Sequence, residues 1–233
     1  MRAKLIESFE LAHEVRHFVF EAGDAGHNDF HFDFVPGQFV SFSALLAGKQ
    51  ITRAYSIASA PGRGNRFELC LNRVPMGLFS NFLFEMKPGG DVEMQPPLGM
   101  FVMRQPARDS LFIATGTGIA PFRSMLQSHL TESSPTITLL FGVRYQSHLM
   151  YGAEFKQLAL RFPRFRYWPT LSRPDPDWRG RTGHVQEHLD EALAGRRDMD
   201  VYLCGLKAMV DDVRRLLKGI GFDRKQIFYE KYD

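Results

Sequence analysis

The chain has 233 residues, 44% of them hydrophobic, which is enough for one large domain or two small ones. Its net charge of +3 is mild, and the absence of a dense Lys/Arg block argues against a nucleic-acid-binding protein. Two cysteines are too few for an iron–sulfur cluster, and no apolar run approaches the roughly 20 residues that span a bilayer. We therefore expect a cytoplasmic protein without a membrane segment.

The first part of the chain, residues 1–105, consists of short strand-like runs separated by turns. Alternating or β-branched segments predict strands at Lys4–Phe9, Val15–Glu21, Gln38–Phe42, Arg53–Ala58, Arg66–Arg73, Asp91–Gln95 and Met100–Met103. One short helix is predicted over Ser80–Met86, with Ser80 as its N-cap. Regularly spaced strands of this kind predict an antiparallel barrel or sandwich, and we take the β-barrel as the prediction.

The second part, residues 106–233, alternates strands with helices. Strands are predicted at Ser110–Ala114, Thr136–Val143, Phe165–Leu171, Asp200–Leu203 and Gln226–Tyr229. Helices are predicted at Ala120–Leu130, Gly152–Arg161, Val185–Leu193 and Leu206–Leu217. Such alternation predicts a Rossmann-like α/β domain with a parallel sheet covered by helices on both faces.

Two segments of the first part are suited to an anionic dinucleotide. In Arg53-Ala54-Tyr55-Ser56 a guanidinium can bind phosphate, and Tyr55 lies on the same strand face as Arg53. Gly77-Leu78-Phe79-Ser80 opens the predicted helix, where backbone N–H groups and a hydroxyl can bind an anion. Alone, the first segment is better explained as an ordinary half-buried strand, and the second fits simple capping by Ser80 equally well. Together they indicate a dinucleotide clamp.

Two further segments belong to the second part. Gly116-x-Gly118-x-x-Pro121 follows a strand and opens a helix, so its glycines can let the backbone approach a pyrophosphate. It lacks the third glycine of the usual dinucleotide fingerprint. Cys204-Gly205 follows a predicted strand at the sheet edge where ligands bind, so the thiol could line a nicotinamide pocket. The alternative is a buried, unreactive cysteine.

Taken together, RAYS, GLFS, GTGIAPF, YLCGLKAM and YEKY resemble the ferredoxin–NADP reductase superfamily over nearly the whole chain. The chain also resembles the reductase components of ring-hydroxylating oxygenases, without their [2Fe–2S] domain. The resemblance implies an FAD-binding barrel at residues 1–105 and an NAD(P)H-binding domain at 106–233. It implies that FAD receives a hydride from the nicotinamide.

The resemblance also implies individual roles. FAD would be bound by Arg53, Ala54, Tyr55, Ser56, Gly77, Leu78, Phe79, Ser80, Thr117 and Tyr232. The nicotinamide nucleotide would be bound by Gly116, Thr117, Gly118, Pro121, Cys204 and Gly205. The catalytic group would comprise Ser56, Cys204, Glu230 and Tyr232, with Ser56 near flavin N5 and Cys204 near nicotinamide C4.

Basic residues decide between NADPH and NADH. A 2′-phosphate requires arginine, whereas a free 2′-hydroxyl often pairs with a carboxylate. Arg144 follows the second strand of the α/β domain, Ser172-Arg173 follows the third, and Arg181 comes shortly after. Ser172-Arg173 also resembles the NADP-binding pair of the plant-type enzymes. We therefore predict NADPH as the donor, with NADH possible, although each arginine could instead be a solvated surface charge.

The leading hypothesis is an FAD enzyme that passes electrons from NADPH, one at a time, to a ferredoxin, a flavodoxin or a similar small redox protein. We expect a monomer. The alternatives are an NAD(P)H-dependent flavin reductase, an NADH-linked oxygenase reductase component, and a regulatory subunit with little turnover. His184-x-x-Glu187-His188 matches a zinc-peptidase pattern, but no third ligand is indicated and we predict no metal.

Overall fold

A computed structural model describes residues 1–23, 30–62 and 64–232. They group into two compact units. The first unit is Met1–Val102 with Arg123–Ser128, and the second is Met103–Phe122 with His129–Asp233. The division of the chain into 1–105 and 106–233 stays a prediction.

The first unit contains a six-stranded antiparallel sheet in the order β4-β3-β6-β1-β2-β5. Its strands are β1 Arg2–Ala12, β2 Val15–Gly23, β3 Phe39–Leu46, β4 Lys49–Ser56, β5 Arg66–Asn72 and β6 Asp91–Met94. Helix α1 covers Leu78–Glu85. An isolated antiparallel bridge between Ile57 and Leu69 joins the chain after β4 to β5, at the opposite edge of the sheet. The predicted antiparallel, barrel-like FAD-binding fold is confirmed.

Phenylalanine rings fill the core of this unit. Phe18, Phe20, Phe42 and Phe67 are fully buried. The centroid of Phe20 lies 5.0 Å from that of Phe42 and 5.8 Å from that of Phe67. Burying one such side chain contributes about 1.5–3 kcal/mol to folding, so these rings stabilise the sheet that carries β4.

Two expectations for the first unit were wrong. Residues 100–103 form no strand: Met100 is 88% exposed, so its apolar side chain does not mark a sheet position. Helix α1 begins at Leu78, and its N-cap is Gly77 rather than Ser80. Ser80 lies inside the first turn, where its Oγ accepts a 3.0 Å hydrogen bond from the Val74 N–H.

The second unit contains a six-stranded sheet in the order β10-β9-β8-β7-β11-β12, with parallel pairing throughout. Its strands are β7 Ser110–Thr115, β8 Ile137–Val143, β9 Phe165–Leu171, β10 Arg181–Thr182, β11 Asp200–Leu206 and β12 Ile227–Tyr232. Its helices are α3 Gly152–Arg161, α4 Leu189–Leu193 and α5 Lys207–Gly219; the other helix is α2, Ile119–His129, whose middle groups with the first unit. The predicted α/β fold with a parallel sheet is confirmed.

The details differ at three places. The predicted helix over 185–193 is a 3-10 turn at Val185–His188 followed by the short α4. Strand β10 was not predicted, because it has only two residues. Strand β11 continues through Leu206 instead of ending at Leu203, because β12 pairs with it as far as Leu206–Tyr232. Cys204 and Gly205 therefore lie inside a strand. No helix among the described residues is long and apolar enough to span a membrane.

Candidate functional site

The glycine-rich turn follows β7 at the carboxyl edge of the parallel sheet. Gly116–Gly118 form a 3-10 turn that leads directly into α2, with Pro121 in the first turn of that helix. Gly116 has a φ of +54°, and no described atom lies within 4 Å of the position its Cβ would occupy. The turn thus combines a left-handed backbone, open space and a helix start, which fits a pyrophosphate.

Gly118 and Gly205 have a different reason for being glycine. A Cβ at Gly118 would lie 2.4 Å from the Cys204 carbonyl oxygen. Gly205 has a φ of +137°, and its Cβ would lie 2.2 Å from Thr115 Oγ1, the atom that accepts a hydrogen bond from Leu206 N–H at 3.1 Å. These glycines let the turn after β7 pack directly against β11. Close approach of other protein segments therefore requires glycine at both positions.

Cys204, Glu230 and Tyr232 come together where β11 pairs with β12. Cys204 lies opposite Glu230 in the parallel ladder, and Tyr232 lies opposite Leu206. The Cys204 side chain is fully buried. Burial, followed by the neighbouring Glu230 carboxylate, raises the thiol pKa well above its ordinary value, against the opposing effect of a hydrogen bond with the Tyr232 side chain. At neutral pH the group is a thiol, suited to packing and not to nucleophilic attack.

We expect the folded protein to resist thiol reagents. Cys204 is fully buried and Cys70 is 6% exposed, and neither forms a disulfide. At pH 8 an Ellman assay should detect no rapidly reacting thiol in native protein and both thiols in guanidinium chloride. Rapid reaction of one native thiol, assigned to residue 204 by peptide mapping, would contradict the burial and the raised pKa.

Arg144, Ser172 and Arg173 meet at the ends of β8 and β9. The Ser172 N–H donates to the Val143 carbonyl at 3.0 Å, and the Arg173 N–H donates to the Arg144 carbonyl at 2.8 Å. Both arginine side chains are exposed. The structure therefore places two guanidinium groups and a serine on adjacent backbone segments, beyond the carboxyl ends of parallel strands.

Arg181 is engaged elsewhere. Its Nη2 lies 2.6 Å from Glu191 Oε1, and its guanidinium carbon lies 3.8 Å from the Trp168 ring centroid. The hydrogen bond from Arg181 holds the pKa of the Glu191 carboxyl below its ordinary value. Arg181 is thus neutralised by an ion pair, whereas its predicted role called for a free charge beside Arg144 and Arg173.

In the first unit, β4 carries Arg53 and Tyr55 on one face and Ala54 and Ser56 on the other. Arg53 is exposed, and its Nη1 donates to the Thr52 carbonyl at 2.8 Å. The Tyr55 ring packs against Phe42 and Phe79, with centroids 6.0 and 6.2 Å away. Burial raises the pKa of the Tyr55 hydroxyl. Ser56 is 5% exposed.

The contact between Tyr55 and Phe79 brings the start of α1 beside β4. The first N–H groups of a helix have no intrahelical acceptor, and here they belong to Leu78, Phe79 and Ser80. A Cβ at Gly77 would lie 2.8 Å from Val74 Cβ. An exposed guanidinium, an aromatic ring and a helix start thus occur in one unit, and these groups fit a flavin dinucleotide.

Comparison with known proteins identifies the fold and its ligands. Residues 2–103 match the oxidoreductase FAD-binding domain family, and residues 112–215 match the oxidoreductase NAD-binding domain family. The chain is 39% identical to ferredoxin–NADP reductase B of Sorangium cellulosum over 99% of its own length and 97% of the relative. The chain belongs to the ferredoxin–NADP reductase family. It is an FAD-dependent oxidoreductase that uses NAD(P)H.

Two further matches illustrate the range of similarity. The anthranilate 1,2-dioxygenase electron transfer component of Acinetobacter baylyi is 31% identical over 90% of this chain, which spans 61% of that protein. The fold is similar to that of a Neisseria gonorrhoeae ferredoxin–NADP reductase solved with FAD and NADP. That structure has a TM-score of 0.85 and 21% identity, and the match covers 99% of this chain and 98% of that one.

The sequence patterns did not predict one buried cluster of ionisable side chains in the first unit. His17, Glu68 and Arg123 are 3%, 8% and 8% exposed, and all lie in the first unit. Charged residues are seldom buried without a partner. The one sequence feature that could have indicated the cluster is Arg123, an arginine within the apolar run that forms α2. Its partners lie more than 50 residues away along the chain, so no local pattern connects them.

The residues of the zinc-peptidase pattern, His184, Glu187 and His188, form local structural hydrogen bonds. Glu187 Oε1 accepts a 2.7 Å hydrogen bond from the His184 N–H and closes a capping box. His188 Nε2 lies 3.0 Å from Thr170 Oγ1 and 2.9 Å from the Thr182 carbonyl oxygen. Both side chains therefore stabilise the turn before α4. Among the described residues, no group of three or more metal-binding side chains is found.

Proposed function

We propose that the protein takes a hydride from NADPH and passes electrons one at a time to a separate small redox protein, a ferredoxin or a flavodoxin. The observation that carries the proposal is the 39% identity, over 97% of its length, to a relative named ferredoxin–NADP reductase B. The match to the oxygenase components covers only about three fifths of their length, so we rank an NADH-linked oxygenase reductase second.

In this proposal the barrel domain, residues 1–105, holds FAD. Arg53 and the N–H groups of Leu78, Phe79 and Ser80 bind the diphosphate, since all are donors suited to an anion. Tyr55 lies against the isoalloxazine, and its other contacts with Phe42 and Phe79 fix the ring orientation. Bound FAD supplies the conversion of a two-electron donor into single-electron steps. Ala54 and Gly77 complete the FAD set in this unit, with Ser56 hydrogen-bonded near N5.

The α/β domain, residues 106–233, holds the nicotinamide nucleotide. Gly116, Thr117, Gly118 and Pro121 form the turn that binds the pyrophosphate. The fully buried Cys204 and its neighbour Gly205 form the floor of the nicotinamide pocket. Glu230 and Tyr232 adjoin Cys204 across the β11–β12 pairing. Glu230 relays a proton or a hydrogen bond, and Tyr232 is the aromatic residue that shields the flavin ring.

NADPH is preferred over NADH in this proposal. Arg144, Ser172 and Arg173 supply two positive charges and a hydroxyl for the 2′-phosphate, because their backbones are hydrogen-bonded neighbours. Arg181 contributes less than predicted, since Glu191 already neutralises it. The 2′-phosphate site is therefore formed mainly by the ends of β8 and β9.

The carrier protein is acidic in this proposal, and the reductase is a cytoplasmic monomer. A net charge of +3 gives the chain an excess of positive charge that attracts an acidic partner at long range. Charge-steered association slows when salt screens the charges. Carrier reduction that stays equally fast from low to high salt would argue against an acidic partner.

An anaerobic titration of the purified protein tests the proposal. NADPH and then NADH are added while the flavin absorption band is followed. A yellow protein that NADPH bleaches quickly and NADH bleaches slowly supports both the cofactor and the donor assignment. Equal rates contradict the NADPH preference. A colourless protein that turns over only with added free flavin contradicts the resident FAD and indicates a flavin reductase.

A further inference from the structure

We propose that the buried cluster of His17, Glu68 and Arg123 positions the flavin-facing end of β4. The cluster holds the backbone that follows Ser56, and through it the Ser56 hydroxyl and the Tyr55 ring. Arg123 is thus a positioning residue for FAD. This inference rests on the proposed FAD site at Tyr55 and Ser56.

The cluster is compact and almost fully buried. Arg123 Nη1 lies 2.6 Å from Glu68 Oε2, and His17 Nε2 lies 3.7 Å from the same oxygen. Their residues are at most 8% exposed. A carboxylate and a guanidinium removed from water in this way need each other, because removing one leaves an uncompensated buried charge.

The same guanidinium reaches the chain just beyond β4. Arg123 Nη1 also donates to the Ala58 carbonyl at 2.9 Å. The Ala58 N–H donates to the Glu68 carbonyl at 2.7 Å, so Ala58 is held on both sides. A single nitrogen therefore ties the carboxylate of β5 to a backbone oxygen two residues after Ser56.

Neighbouring polar groups extend this attachment. Ser124 Oγ donates to the Ser59 carbonyl at 2.6 Å, and Gln127 Oε1 accepts from the Ala60 N–H at 3.0 Å. Ser59 Oγ in turn accepts from the Glu68 N–H at 3.1 Å. The backbone of residues 58–60 is thus bonded at each residue to Glu68 or to the segment Arg123–Ser128, all within the first unit.

Stability alone is a weak reason for such a cluster. A buried ion pair is often replaced by apolar residues without loss of stability, so its presence is poorly explained by folding energy. The cluster fixes the position of the backbone that it binds, because a charge-assisted hydrogen bond tolerates little displacement of donor and acceptor. The segment that it fixes adjoins the two residues proposed to face the flavin ring.

The test compares Arg123→Met with Arg123→Lys. Methionine removes the donor, whereas lysine keeps a charge that can reach the carboxylate and the carbonyl. The matched control is Arg196→Met, which breaks the partly exposed ion pairs with Asp109 at 2.7 Å and with Asp198 at 2.9 Å in the second unit. For each protein we would measure the FAD dissociation constant, the visible flavin spectrum, the midpoint potential of the bound flavin and the melting temperature of the apoprotein.

We expect Arg123→Met to weaken FAD binding about tenfold or more and to shift the flavin spectrum and potential, because the segment after Ser56 loses the charge-assisted hydrogen bond that holds it in place. Arg123→Lys should recover most of the FAD affinity and most of the wild-type flavin spectrum and potential. Arg196→Met should match the wild type in FAD affinity, spectrum and potential. Wild-type spectrum, potential and affinity in Arg123→Met would overturn the inference. So would a loss of affinity that follows only the lower melting temperature, with an unchanged spectrum and potential in the FAD-bound fraction.

A second variant covers the case in which Arg123→Met does not fold. Ser124→Ala removes only the hydrogen bond to Ser59, and it should still shift the flavin spectrum and weaken FAD binding by about threefold. If Arg123→Met does not fold and Ser124→Ala keeps the wild-type FAD affinity and flavin spectrum, the inference fails. A wild-type protein that binds no FAD would overturn the proposed function itself, which separates the two failures.

Discussion

Gly205→Ala should lower the free energy of unfolding by roughly 3–5 kcal/mol and abolish NADPH binding. The new Cβ would lie 2.2 Å from Thr115 Oγ1 and 2.7 Å from the Thr115 carbonyl oxygen, and the φ of +137° is unfavourable for any L side chain. Relief of the clash requires β11 to move away from the turn after β7. That movement displaces Gly118 as well, because it packs on Cys204.

Gly221→Ala is the matched control for the backbone strain alone. Gly221 has a φ of +95°, and no described atom lies within 4 Å of its Cβ position. The Gly221→Ala variant should lose only about 1 kcal/mol of unfolding free energy and keep its NADPH affinity. Denaturant unfolding and NADPH titration of the purified variants measure both quantities. If Gly205→Ala behaves like Gly221→Ala, the packing of the turn on β11 is not what requires glycine.

The double variant Arg144→Ala with Arg173→Ala should raise the apparent KM for NADPH about 100-fold and change that for NADH by less than about threefold. Two charge-assisted bonds to a phosphate together contribute roughly 3 kcal/mol, which corresponds to that factor. NADH lacks the 2′-phosphate, so it loses neither bond. Steady-state kinetics with a fixed artificial acceptor measure both constants.

Two single variants sharpen this result. Arg181→Ala should change the NADPH constant less than either Arg144→Ala or Arg173→Ala, because Arg181 pairs with Glu191. Arg179→Ala removes an exposed arginine whose Nη1 bonds to the Pro176 carbonyl, and it should leave both constants unchanged. Equal losses for NADPH and NADH in the double variant would refute a 2′-phosphate site at the ends of β8 and β9.

Local patterns predicted most of the elements. The alternation in β2 and the helical spacing in α3 depend on neighbours within a few residues, so their bounds were close to those observed. The prediction of a strand at residues 100–103 was wrong because four residues carry too little periodicity to distinguish a strand from an exposed turn. Ser80 failed as a cap because its Oγ bonds to Val74 before the helix, a geometry that residue type alone does not specify.

In the candidate site, too, local segments were predictable from the sequence and contacts between distant residues were not. The four-residue segments at Arg53 and Gly77 and the turn at Gly116 were recognisable because each is a contiguous donor set on a predicted strand end or helix start. Arg181 was assigned to a phosphate because no local pattern indicates that Glu191 is its partner. The roles of these residues toward FAD and NADPH remain proposals until the variants are measured.

The sequence by itself determined the two kinds of fold, the order of the elements and the nucleotide-suited segments, because these depend on periodicity and on residues adjacent in the chain. Only the tertiary structure decided which side chains meet across long separations. It packed Gly118 and Gly205 against backbone, buried Cys204 beside Glu230 and joined Glu68 to Arg123. Such contacts depend on strand register and on the exclusion of water, which no local pattern encodes.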